Sequence, residues 1–181
     1  MTFLNFNYDR CIEHYLFWSL QRIGLTEDRA TNIVRALKII RPYGSLGSIL
    51  PHTPSFLQFG ADRARQDTFA LIDRIRTFTE SEALHDKEIL SIALTHAEMI
   101  LFLGFGFHPQ NLELLTLSPN QAFRPGKVIA TTFKLHGGNL DDLKVTLAYR
   151  LRFPVDKVET VDMSASEVLR QLKLKVLMAV G

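Results

Sequence analysis

The chain alternates between short apolar segments and longer segments in which apolar residues recur every three or four positions. The apolar segments end in turn-forming residues and predict strands at residues 2–7, 38–41, 99–103, 128–132 and 158–161. The longer segments predict helices, because positions three and four residues apart lie on one face of a helix. Strands separated by helices predict an α/β fold with a mainly parallel sheet.

Local signals mark where several of the helices begin and end. Gly24 ends the first helical segment, and Thr26 is suited to cap the second helix. Pro109 suits the first turn of a helix that follows the third strand. Ser164 and Glu167 have the spacing of a capping box, which predicts the start of a final helix.

Other segments carry weaker signals. Further helices are predicted near residues 67–79, 81–97 and 140–152, the last of them capped by Asn139. The segment 51–66 contains two prolines and a glycine among scattered phenylalanines and arginines. It is predicted to be a long loop, and long loops in compact domains are often functional.

Composition limits the classes of protein to which the chain can belong. With 181 residues, 46% of them apolar and 22% charged, it is predicted to form one domain spanning residues 1–181. The net charge is +2 without any block of like charge, which predicts neither a nucleic-acid nor a membrane partner. The longest apolar run, residues 99–107, is too short to cross a membrane as a helix. A single cysteine excludes internal disulfides and fits a cytoplasmic location.

Three of the predicted strand ends carry polar or glycine-rich segments. They are the NYD motif at residues 7–9, the YGSLG motif at residues 43–47 and the GFGFH motif at residues 104–108. In a parallel sheet, ligands bind beyond the carboxyl ends of the strands. Each motif also has a structural explanation by itself, because Asn7 and Asp9 are good helix caps and glycines permit tight turns.

Taken together and in this order, the three motifs resemble those of bacterial sirtuin-like domains, in particular the zinc-free group associated with phage defence. In that family one strand ends in Asn-x-Asp, a later one in His-Gly-Ser and a third in a Gly-Thr-Ser-like turn. The stretches FNYDRCIEHYL, RPYGSLGS and ILFLGFGFHPQNL carry the likeness, which spans about Thr2 to Thr132. The resemblance implies a Rossmann-like three-layer fold.

The resemblance also implies NAD as ligand or substrate, without a metal. Asn7 and Asp9 would lie around the nicotinamide ribose, and Tyr43 occupies the position of the catalytic histidine. The residues implied to bind the cofactor are Gly44, Ser45, Gly104, Phe105, Gly106 and His108. Cleavage of the bond to nicotinamide passes through an oxocarbenium-like state, which a carboxylate and other polar groups stabilise. The activity expected is that of an NAD glycohydrolase.

Two departures from the family pattern change this expectation. The glycine-rich phosphate loop, Gly-Ala-Gly-x-Ser, does not occur before Asn7, where six residues precede it. The fold is therefore expected to be incomplete at its amino-terminal side, with a separate amino-terminal chain or a second copy as partner. Tyr43 is a poor general base at neutral pH, because a phenol has a pKa of about 10. His136 comes too late in the chain to replace the missing histidine.

Three functional hypotheses remain open. The first is the carboxyl-terminal portion of an NAD-cleaving domain, inactive or dependent on a missing amino-terminal part. The second is a catalytically silent interaction or scaffold domain, and the third is an unrelated Rossmann-like binder of another nucleotide. The histidines show no HExxH spacing, so no metal site is predicted. An apolar first strand at a sheet edge predicts a dimer or poor solubility for the isolated chain.

Overall fold

The computed structural model describes residues 1–50, 53, 55–60, 74–77, 84–121, 126–133 and 139–171. The chain divides into two compact units, Met1–Asp86 and Lys87–Gly181. In both units helices alternate with strands, and every named strand pair is parallel. This confirms the predicted α/β class with parallel pairing. The single domain and the Rossmann-like three-layer arrangement stay predictions.

The first unit contains a two-stranded sheet, and two helices connect its strands. Its elements are β1 (Thr2–Leu4), α1 (Cys11–Arg22), α2 (Glu27–Arg35) and β2 (Lys38–Ile40). Thr2 lies opposite Lys38 and Leu4 opposite Ile40, in parallel register. The ladder continues one residue beyond β1, where the Asn5 N–H donates to the Ile40 carbonyl at 2.9 Å. The carboxyl ends of both strands therefore lie at the same edge.

The helix signals read from the sequence are confirmed in this unit. The Thr26 hydroxyl accepts a hydrogen bond from the Arg29 N–H at 3.4 Å and caps α2. Gly24 follows α1 with φ +96°, a left-handed conformation that glycine adopts most easily. Its N–H donates to the Gln21 carbonyl at 2.9 Å, which satisfies one of the carbonyls left over at the end of α1.

The segment after β2 is held by backbone pairing with two later segments. Gly44 forms an antiparallel bridge with Ile75, and Ser48 forms a parallel bridge with Phe56. Residues 74–77 are not helical, so the helix predicted near residues 67–79 is wrong in this part, and the rest lies outside the described residues. The backbone at 74–76 bonds to the backbone at 43–45 instead, and this tertiary pairing outweighs the local helical pattern. The predicted loop 51–66 is described only in part.

The second unit contains a three-stranded parallel sheet in the order β3-β4-β5. Its elements are α3 (Leu84–Thr95, which begins just before the unit does), β3 (Met99–Phe102), α4 (Pro109–Leu114), β4 (Lys127–Thr131), α5 (Asn139–Leu151) and β5 (Val158–Val161). A short 3₁₀ turn, Val155–Lys157, precedes β5, and residues 165–171 are helical. None of the helices in the described part of the chain is long and apolar enough to span a membrane.

The core of the second unit surrounds β4, the central strand. Val128, Ile129 and Ala130 are all buried, as expected for a strand with a neighbour on each side. Leu147 and Leu151 lie four residues apart on α5 and are fully buried, so they share the face of α5 that is turned inward. Among the described residues, the first unit has fewer buried apolar side chains, and no residue of α1 is buried.

The capping box predicted at the start of the last helix is confirmed. The Ser164 N–H donates to Glu167 Oε2 at 2.7 Å, and the Glu167 N–H donates to Ser164 Oγ at 3.4 Å. Hydrogen bonds from the Ser164 hydroxyl and N–H lower the pKa of the Glu167 carboxyl. Pro109 is likewise found in the first turn of α4. These signals are local, so they can be read before any tertiary contact is known.

Candidate functional site

In the first unit, the NYD and YGSLG motifs meet at the carboxyl ends of β1 and β2. The Leu46 N–H donates to the Tyr8 carbonyl at 3.3 Å. Arg41, which directly follows β2, donates from Nε to the Asp9 carbonyl at 3.4 Å. We call this region, residues 5–10 with residues 41–48, the β1–β2 edge. Parallel pairing accounts for it, because both chains leave the sheet on the same side.

Asn5, which the sequence analysis did not single out, shapes the turn of the NYD motif. Its side chain is largely buried, and Oδ1 accepts from the Asn7 N–H at 3.0 Å. Its Nδ2 donates to the Asp9 carbonyl at 3.5 Å. This is an Asx turn, in which an asparagine side chain replaces a backbone turn. Asn7 itself is an exposed residue of the β1–β2 edge.

Asp9 has a structural partner at the start of α1. Its Oδ1 accepts from the Cys11 N–H at 3.0 Å. The first N–H groups of a helix have no partner within the helix, so this bond stabilises the first turn of α1. Desolvation raises the pKa of the Cys11 thiol, and the adjacent Asp9 carboxylate raises it further. Asp9 is half-buried and directly precedes Arg10, the N-cap residue of α1.

Tyr43 lies at the same edge in partly apolar surroundings. Its ring meets that of Phe6 edge to face, with the ring centres 6.1 Å apart. Burial raises the pKa of the phenol above its usual value. The hydroxyl is therefore protonated at neutral pH, where it can donate a hydrogen bond but not remove a proton.

Two glycines allow the YGSLG motif to lie against other backbone segments. Gly44 has φ +79° and Gly47 has φ +107°. A Cβ atom at Gly44 would lie 2.0 Å from the Arg74 carbonyl oxygen, and one at Gly47 would lie 2.5 Å from that of Ser55. Between them, the Ser45 hydroxyl lies 3.3 Å from both the N–H and the carbonyl oxygen of Gly47. Gly44 and Ser45, predicted to bind the cofactor, therefore also fix the shape of this loop.

Charged side chains that the sequence did not indicate lie beside the motifs. Arg10 is 5% exposed, and its Nη1 donates to the carbonyls of Leu57 and Ser48. Burial lowers the pKa of Arg10, and the Glu13 carboxylate counteracts part of this effect. Arg41 donates from Nη2 to both carboxylate oxygens of Glu13 at 2.7 and 2.6 Å. No sequence motif contains Arg10, Glu13 and Arg41 together, so they become neighbours only in the folded chain.

The GFGFH motif lies in the second unit, where it follows β3. Gly104 has φ +61°, and its N–H donates to Thr131 Oγ1 at 3.0 Å. The same hydroxyl donates to the Phe102 carbonyl at 3.0 Å, so Thr131 on β4 fixes the end of β3. Phe105 and Phe107 pack on Phe102, with ring centres 5.4 and 5.7 Å from it. These contacts make the motif an aromatic turn.

The two remaining residues of this motif lie at its exposed end. His108 precedes α4 and makes no side-chain hydrogen bond to the start of that helix. A Cβ atom at Gly106 would lie 3.1 Å from His108 Cδ2, so the glycine leaves room for the imidazole. Both residues are exposed. Their assignment to cofactor binding stays a prediction.

Replacing Thr131 by valine tests how this turn is held. The change keeps the side-chain volume but removes the partly buried hydrogen bond from the Gly104 N–H and the buried one to the Phe102 carbonyl, so we expect the free energy of unfolding to fall by about 1–3 kcal/mol. Urea denaturation followed by circular dichroism measures this. Thr132→Val is the matched control, because the Val161 carbonyl that its hydroxyl contacts also accepts from the Thr132 and Met163 N–H groups. Equal losses for both variants would contradict the role given to Thr131.

Among the described residues, no three or more His, Cys, Asp or Glu side chains cluster in a way that could hold a metal ion. His136 lies outside the described residues. Comparison of the chain with protein-family models, with curated proteins and with solved structures finds no match.

Proposed function

We propose that the β1–β2 edge is the nicotinamide-ribose end of a sirtuin-like, NAD-cleaving site in a Rossmann-like domain of bacterial antiphage defence. One observation supports this above the others. The Leu46 N–H donates to the Tyr8 carbonyl at 3.3 Å, so the two motifs that carry the family resemblance in this unit are adjacent in space. Adjacency is required if both are to contact one ribose.

The chemistry assigned to each side chain follows from its surroundings. The exposed amide of Asn7 is accessible to the ribose hydroxyls. Asp9 supplies a carboxylate that can stabilise the positive charge developing on the ribose as the bond to nicotinamide breaks. Tyr43, whose phenol is held protonated by burial, donates a hydrogen bond to a ribose hydroxyl and does not act as the base. Water or another nucleophile then completes the cleavage.

The test is to measure nicotinamide release from NAD by the purified chain and by Asp9→Asn. Asparagine caps a helix about as well as aspartate, so α1 is expected to be preserved while the carboxylate is lost. We expect release to fall by about 100-fold, the typical loss when one electrostatic group of an active site is removed. Asp28→Asn, in the first turn of α2, is the matched control and should leave release unchanged. Release that Asp9→Asn does not reduce would contradict the proposal.

A catalytically silent interaction domain is the second candidate. It is favoured by the side chains that bond to the chain's own backbone, since Asp9 accepts from the Cys11 N–H at the start of α1 and Ser45 bonds to Gly47. In this case no nicotinamide should be released from NAD. Nicotinamide release that is lost in Asn7→Ala or Asp9→Ala would exclude it.

A further inference from the structure

The first unit contains a groove of about 780 Å³ beside the β1–β2 edge. Its walls come from the end of α2, from β2 and from the loop that follows β2. Ser45 and Gly47 of the YGSLG motif belong to the lining, together with three arginines, Arg35, Arg41 and Arg74. The groove therefore joins a glycine-containing loop to several guanidinium groups.

Among the described residues that line this groove, positively charged side chains outnumber negatively charged ones. Glu13 is the only carboxylate among the described residues that line it, and Arg41 already donates two hydrogen bonds to that group. Arg35 and Arg74 have no carboxylate partner within the part of the chain that the structure describes. These guanidinium groups can bind an anion that enters the groove.

A fourth arginine lies next to the groove, and the loop after β2 approaches one of the arginines that line it. Arg10 is buried next to the groove, where its Nη1 donates to the carbonyl of the lining residue Ser48 at 3.5 Å. Its partners are carbonyls, so its charge is not neutralised by them. The guanidinium of Arg74 lies close to Gly47, because a Cβ atom there would be 2.8 Å from Arg74 Nη1. A glycine at position 47 therefore lets this arginine approach the loop.

The groove also has an apolar part. Val34 and Leu50 are buried, and Leu37, Ile39 and Ile49 are half-buried parts of the same lining. A simple inorganic ion would leave these side chains uncovered. The lining instead suits a molecule with an anionic end and an apolar or flat organic body. Guanidinium groups bind phosphate in a bidentate manner, and several of them together favour a phosphate over a singly charged carboxylate.

We propose that this groove binds a phosphorylated small molecule. Its phosphate groups contact Arg35 and Arg74 beside the Glu13-bound Arg41, and its organic body lies on Leu37 and Ile39. The inference does not rest on NAD cleavage, because phosphate binding in the groove requires none of Asn7, Asp9 or Tyr43.

Calorimetric titration of the full chain with ADP, inorganic pyrophosphate and adenosine tests this inference. ADP is expected to bind more tightly than pyrophosphate, adenosine is expected not to bind, and the Kd for ADP is expected to rise with salt concentration. Arg35→Gln should weaken ADP binding by about tenfold, the value of one charge-assisted contact. Arg35→Lys should weaken it less, since it keeps the charge but not the planar fork.

Arg29→Gln is the matched control. Arg29 is an exposed arginine on the same helix and does not line the groove, so this variant should change the Kd for ADP by less than about twofold. Equal weakening of ADP binding by Arg29→Gln and Arg35→Gln would overturn the inference. It would also be overturned if adenosine bound with the same Kd as ADP, or if ADP did not bind at millimolar concentration. Thermal melting of both variants checks that they fold.

The outcomes also separate this inference from the proposed function. ADP binding that depends on Arg35, without any nicotinamide release from NAD, would support the groove and contradict NAD cleavage. Nicotinamide release that depends on Asp9, together with ADP binding that is insensitive to Arg35→Gln, would support NAD cleavage and contradict phosphate binding in the groove. Each experiment therefore tests its own proposal.

Discussion

Replacing Gly44 by alanine is expected to lower the free energy of unfolding of the first unit by about 2–5 kcal/mol. Two costs contribute. Gly44 has φ +79°, where a side chain is strained by about 1–2 kcal/mol. The new Cβ atom would also lie 2.0 Å from the Arg74 carbonyl oxygen, so the segment at 74–76 must move away.

That movement breaks backbone pairing around Gly44. The Ser45 N–H donates to the Arg74 carbonyl at 3.1 Å, and the Arg76 N–H donates to the Tyr43 carbonyl at 3.0 Å. Each such bond contributes about 0.5–1.5 kcal/mol net. Loss of the pairing would also displace Arg74 from the groove, so Gly44→Ala should weaken ADP binding as well as stability.

Gly24→Ala is the control that separates backbone strain from the steric clash. Gly24 has φ +96°, but a Cβ atom there would meet nothing within 4 Å. We expect this variant to lose about 1 kcal/mol. Urea denaturation followed by the fluorescence of Trp18, the only tryptophan and a residue of α1, measures both variants. If Gly44→Ala lowers the free energy of unfolding no more than Gly24→Ala does, the Arg74 carbonyl does not lie as close to Gly44 as the structure shows.

Replacing Leu151 by alanine is expected to lower the free energy of unfolding of the second unit by about 2–5 kcal/mol. Leu151 is completely buried at the end of α5, and truncation removes apolar contacts and leaves a cavity. Val145→Ala changes a side chain on the same helix that is 56% exposed, so it should alter stability by less than about 0.5 kcal/mol. Amide hydrogen exchange in β4 and β5 measures the stability of both variants. Similar protection in Leu151→Ala and Val145→Ala would contradict the burial of Leu151 in the core.

Features that depend on neighbouring residues could be predicted from the sequence. The cap at Thr26 and the capping box of Ser164 and Glu167 need only residues within one helical turn, and the structure has both. The fifth strand was also predicted with its observed bounds, Val158–Val161, since β-branched residues mark it clearly. By contrast, the helical pattern near residues 67–79 gives a wrong prediction at residues 74–77, because residues 74–76 bond to the backbone around Gly44.

The candidate site was predictable to a smaller extent. Parallel pairing of the first two strands explains why the NYD and YGSLG motifs share an edge, and this follows from the α/β pattern. The role of Asn5, however, could not be separated from that of Asn7 before the turn was seen. The arginines of the groove lie on α2, after β2 and at residue 74, so no spacing in the sequence connects them.

The pairing of β1 with β2 has a consequence for how the site forms. Residues near the start of the chain must find partners beyond α1 and α2, so closing this sheet carries the entropic cost of ordering a long intervening segment. Contacts of such large sequence separation slow folding. Asn7 and Asp9 are therefore expected to acquire their neighbours only as the unit as a whole folds. A peptide that ends after α1 would contain both residues but no binding edge.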